Sequence, residues 1–90
     1  MSDSPITLAE LITHFHRKSV GMRPKISESR GDYIAAFAAD PDLVTQARKE
    51  LAEIEQFAKG IGDGNLASRD HEKHIRRQAL RRMLSRYDAA

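Results

Sequence analysis

The C-terminal stretch HEKHIRRQALRRMLSRYDAA, residues 71–90, holds five arginines, one lysine and two histidines. Arginine binds phosphate or carboxylate through a planar fork of N–H donors that lysine lacks. Histidines near one another on a helix can share a metal. Three chemistries are therefore open to this stretch: anion docking, metal binding, or a charged exterior paired with acids of the same chain.

Helical spacing sorts the arginines. Ile75, Ala79, Leu80, Met83, Leu84 and Tyr87 fall on one broad apolar face. Arg77 and Arg81 flank it on one side, Arg82 and Arg86 on the other. Arg76 falls within the face, so it needs a carboxylate or must run its methylenes out to water. Glu50, Glu53 and Glu55 are the acids expected to serve it. The nucleic-acid or partner-binding set read from the sequence is Lys73, Arg76, Arg77, Arg81, Arg82 and Arg86. The competing reading is a solvated face whose arginines pair with the acidic middle of the chain.

Metal binding is weaker. Asp70, His71 and His74 share a helix face, but His14 and His16 point to different sides and no HExxH spacing occurs. A true site needs three or four convergent ligands, so neither a metal nor another cofactor is expected. The glycines of GIGDG follow a helix rather than a strand and precede Asn65-Leu66, which reads as a helix stop instead of a phosphate loop. Arg30-Gly31-Asp32 spells an adhesion tripeptide at an expected helix start, and reads as chance. No nucleophile elbow, metal-hydrolase motif or tuned acid–base pair emerges, and there is no cysteine. The expectation is a protein that is not an enzyme.

A helix-turn-helix would support sequence-specific DNA reading. The best-spaced pair, GDYIAAFAADPDLVTQARKE, opens its second helix with Asp40 and Asp42. Carboxylates at that end repel phosphate, so major-groove reading is not expected.

These residues must be carried by a small scaffold. The chain has 90 residues, 40% hydrophobic and 31% charged, with no tryptophan. So thin a core leaves room for a homodimer or another partner to complete it. Without cysteine, disulfides and thiolate metal sites are excluded. Charge is polarised: residues 1–25 carry +2, residues 26–65 carry −4 and residues 66–90 carry +4. No apolar run approaches the ~20 residues of a membrane helix. MSDSPITLAEL lacks a basic start and an apolar core, so a cytoplasmic setting without membrane contact is expected.

Helix signals dominate. Thr7 and Glu10 form a capping box, and Pro24 marks the connector VGMRPK. Ser29 with Asp32 has capping-box spacing, and Asp40-Pro41-Asp42 closes one helix and opens the next. The expected helices span 7–20, 28–39, 41–59 and 66–87, the last basic. Expected core residues are Leu11, Ile12, Phe15, Ile34, Phe37, Leu43, Leu51, Ile54, Ile75, Leu80 and Leu84. The fold class is all-α, a compact bundle of about four amphipathic helices, two helical hairpins in a single domain over 1–90.

The functional expectation is a small non-enzymatic interaction protein. Its basic C-terminal helix would dock nucleic acid or a nucleic-acid-handling complex. The alternative is a protein-binding regulator or inhibitor, of the kind carried by mobile elements, that blocks a site on a partner complex. Phe15, Met22, Tyr33 or Tyr87 would then serve as anchors if exposed.

Overall fold

The Thr7 hydroxyl accepts from the Glu10 backbone N–H at 3.2 Å, and the Glu10 carboxylate accepts from the Thr7 N–H at 3.1 Å. This reciprocal cap starts α1 (Leu8–Ser19) in the computed structural model, which describes residues 5–90. The expected domain over 1–90 begins with residues 1–4, which lie outside the described residues. Gly21, at φ +76, ends α1: its N–H donates to the Lys18 carbonyl and that of Met22 to Arg17. Only glycine adopts that left-handed position without strain.

The second helix, α2 (Tyr33–Ala39), starts later than the expected residue 28. Asp32 is itself the cap, accepting from the Ala35 N–H at 3.1 Å. Ser27 instead closes a preceding turn, its hydroxyl accepting from the Arg30 N–H. Serines compete for local backbone donors, so they favour turns over helix interiors. Asp40 then caps α3 (Pro41–Ile61), accepting from the Asp42 N–H at 3.0 Å with Pro41 in the first turn. A short 3₁₀ turn, Asp63–Asn65, follows Gly62.

The fourth expected helix, 66–87, is broken. It forms α4 (Leu66–Arg69) and α5 (His71–Ala89), separated by Asp70 in an extended conformation. Asp70 caps α5 by accepting from the Lys73 N–H at 3.1 Å. The described residues thus form five α-helices and no strand, an all-α fold.

The core lies where α5 meets α1, α2 and α3. Leu11, Phe37, Leu66, Leu80 and Met83 are fully buried. Of the expected core, Phe15, Ile34, Leu51 and Ile75 are only half-buried. Leu8, Ala47, Ala58, Leu66, Ala79 and Met83 join it instead. Ala47 and Ala58 on α3 and Ala79 on α5 are short enough to let helices approach closely, which draws the core toward them. An edge-to-face aromatic chain, Phe15–Tyr33–Phe37–Tyr87, ties α1 to α2 and α2 to α5 at centroid distances of 5.6, 6.2 and 5.4 Å.

Candidate functional site

Burial of Ala79, Leu80, Met83 and Leu84 sets the rotation of α5, and rotation decides what each cation meets. One side of α5 faces the acidic side of α3. There Arg76 donates from Nε to Glu50 Oε2 at 2.6 Å and from Nη2 to Oε1 at 2.8 Å. The Glu50 hydrogen bond, opposed by partial burial, raises the Arg76 pKa above its already high ordinary value. The carboxylate expected for Arg76 is therefore present.

Arg77 departs from its expected place beside the apolar face. It is buried, bonding Glu55 at 2.8 Å and Asp63 at 2.8 Å. Arg81 shares Glu55, at 2.9 Å, and Lys73 pairs with Asp70 at 3.0 Å while lying over the Phe57 ring. These four cations, placed in the binding set by sequence, are occupied within the chain.

Arg82 and Arg86 are different. Both are exposed, and among the described residues neither has a carboxylate in ion-pair range. They line a cleft of about 610 Å³ between α5, α1 and the turn before α2. Arg86 lies over the Phe15 ring, 5.4 Å from its centroid, which holds the guanidinium at the cleft wall. The structure thus divides the six-residue set: Arg82 and Arg86 share one cleft, while Lys73, Arg76, Arg77 and Arg81 face elsewhere.

The opposite wall comes from Lys18 and Glu28, which the sequence did not mark, and from His14, which it weighed only as a metal ligand. Lys18 reaches the cleft and bonds Glu28 at 2.6 Å, which holds the Glu28 carboxyl below the ordinary range. His14 is buried at 4% exposure, with Nε2 3.7 Å from Glu28, too long for a hydrogen bond. Among the described residues its Nδ1 has no hydrogen-bond partner. The ring packs so tightly on Gly31 that any Cβ there would overlap it. The available signal was the glycine before Asp32, a small residue where another group approaches closely.

His71 and His74 stack at 6.0 Å, and no group of three or more metal-ligating side chains forms among the described residues. Of the suggested anchors, Met22 is 48% exposed, whereas Phe15, Tyr33 and Tyr87 are half-buried. No helix of the described residues is long and apolar enough to cross a membrane. Chemically, the cleft offers two guanidinium groups unpaired among the described residues, one ammonium engaged by the Glu28 carboxylate, the Asp32 carboxylate and two aromatic rings.

Comparison with protein-family models, curated proteins and solved structures finds no match.

Proposed function

We propose that the chain is a non-enzymatic, all-helical interaction protein that docks an anionic group through Arg82 and Arg86. One observation carries this reading: these two arginines share a cleft without a carboxylate partner, while their neighbours on α5 are paired internally. An exposed guanidinium without an ion partner can take a charged acceptor through its planar fork, and the cleft supplies partial shelter from water. The anion belongs to nucleic acid or to a nucleoprotein complex in the broad version of the reading.

A narrower version, a regulator or inhibitor that occupies a site on a partner protein, is favoured by the small number of unpaired arginines on α5. A polyanion such as DNA is held by many phosphate contacts, whereas a protein partner needs only a few anchors. The capped end of α3 adds support, because exposed Asp40 and Asp42 stand where a recognition helix would meet phosphate. As part of the same proposal, α4 and α5 act as two halves of one arm, making the bundle a pair of hairpins. A cytoplasmic setting also belongs to it, as does a second copy as partner.

The deciding experiment measures binding of the chain to labelled duplex DNA, single-stranded RNA and host protein complexes. Arg82→Gln/Arg86→Gln is compared with Arg81→Gln. Binding lost only in the first variant supports the reading. Equal binding by all three proteins sinks it.

A further inference from the structure

The cleft at Arg82 and Arg86 continues past Arg82. A second hollow of about 440 Å³ adjoins it along the seam between α1 and α5, sharing Phe15, Ser19 and Arg82 with the first. Val20, Ile75 and Ala79 give this hollow an apolar surface, and Val20 is 55% exposed. No carboxylate lines it among the described residues. On α5 the residues Ile75, Ala79, Arg82 and Arg86 recur every three or four positions, so they form one stripe. The stripe changes from apolar at the helix start to cationic near its end.

We infer that this seam receives an acidic peptide segment of a protein partner. An apolar side chain of the peptide rests on Val20, Ile75 and Ala79, and its carboxylates reach Arg82 and Arg86. The inference rests on the anion-docking reading above and names its occupant. Charge complementarity sets the sign: on the α5 side of the seam the ionic groups are the guanidinium groups of Arg82 and Arg86, and no ion pair with a described carboxylate holds either.

Three observations favour peptide over nucleic acid. Glu28 and Asp32 line the far side of the first cleft, where they repel a phosphate chain charged at every residue, whereas a peptide can set its carboxylates at Arg82 and Arg86 and turn N–H groups toward them. The face of Phe15 is covered by Arg86, and Tyr33 meets Phe15 and Phe37 edge-to-face, so neither ring offers the open platform on which single-stranded bases stack. The apolar floor matches an aliphatic or aromatic side chain, as in grooves that take an amphipathic helix.

The test is a phage-displayed library of random dodecapeptides panned against the 90-residue chain. Selected peptides should combine Asp or Glu with a large apolar residue. Their affinity should fall about tenfold or more in Arg82→Gln/Arg86→Gln, since hydrogen bonds to charged groups are among the stronger ones. Arg81→Gln, which lines neither hollow, should bind as the parent does. In an amide NMR titration the shifts should centre on Ser19, Val20, Ala79 and Arg82. Selected peptides without acidic residues, or binding indifferent to Arg82 and Arg86, overturn the inference. So does a failure to select any peptide while a labelled 20-nucleotide DNA strand binds through Arg82 and Arg86; that outcome leaves the anion-docking reading standing. If neither peptide nor nucleic acid engages those arginines, both fall.

Discussion

Arg76 holds Glu50 at two points, Nε on one carboxylate oxygen at 2.6 Å and Nη2 on the other at 2.8 Å. The contact joins α5 to α3 across 26 residues of sequence. Both side chains are about one-third exposed or less, at 32% and 27%. The pair therefore stands between exposed bridges, worth about 0–1 kcal/mol, and buried ones, whose breakage costs about 3–5 kcal/mol. Arg76→Ala should destabilise by about 1–3 kcal/mol, and a double-mutant cycle with Glu50→Ala should show coupling of about 1 kcal/mol or more. Urea unfolding of the four proteins checks this, and purely additive effects would contradict it.

The Arg76 pair was legible because its position within an apolar face creates a demand that only a carboxylate or an escape to water can meet. The α3 start was legible for the same kind of reason: Asp40 and Pro41 have strong positional preferences that their own chain satisfies. Arg77 was not. Its partner Asp63 lies in the 3₁₀ turn after α3, and only tertiary packing brings that turn beside α5. The break at Asp70 was missed because aspartate suits both a cap and an exposed helix position. The cleft was only partly legible: Arg82 and Arg86 stood in the expected set, but α1 with His14 and Lys18, the turn with Glu28, and α5 come together only in the fold.

Arg77 should be the most costly of the α5 cations to remove. Its guanidinium is buried and bridges Glu55 and Asp63. Arg77→Ala should destabilise by about 2–3 kcal/mol, because it removes a buried, doubly bonded side chain while the Glu55 and Asp63 carboxylates, at 32% and 66% exposure, regain water. Arg81, already exposed, should change stability by about 0–1 kcal/mol when replaced by Gln. An order of Arg77, then Arg76, then Arg81 in urea midpoints is the expected outcome. Equal effects would mean that the Glu55 network redistributes freely.

Gly31 and His14 make a packing pair rather than a turn requirement, since a Cβ at Gly31 overlaps the imidazole. Gly31→Ala should cost about 1–3 kcal/mol by overpacking. Adding His14→Ala should recover part of that loss, because the added methyl then has room. Thermal unfolding of the two single variants and the double variant measures the recovery. If the double variant loses the full sum, the overlap is not what limits position 31.

Acid should weaken the chain through Asp70 and Glu28. The backbone N–H of Lys73, then its ammonium, holds the Asp70 carboxyl below the ordinary range. For Glu28 the cause is the hydrogen bond from Lys18. A carboxyl depressed in the folded state binds its proton first in the unfolded chain. Its stabilisation is therefore complete above the unfolded pKa, near about 4, and is lost as pH falls through the folded value. Asp70→Asn keeps a capping side chain but cannot titrate, so melting temperature should fall less steeply below about pH 4 than in the parent. Parallel acid limbs in the two proteins would remove Asp70 from the account.

Salt dependence separates the unpaired arginines from the paired ones. Each phosphate contact to duplex DNA contributes about −0.9 to the slope of log affinity against log salt, so four contacts give about −3.6 and two give about −1.8. Arg77 and Arg81 are held by Glu55, leaving Arg82 and Arg86 to meet phosphate. Duplex binding through α5 should therefore contribute about −1.8 to the slope, a contribution unchanged by Arg81→Gln and lost in Arg82→Gln/Arg86→Gln. Gln keeps helix propensity, so far-ultraviolet circular dichroism should stay constant across the series. A slope near about −3.6 that needs Arg77 and Arg81 would mean Glu55 surrenders both partners on binding, and the division of α5 into internal and external arginines would be wrong.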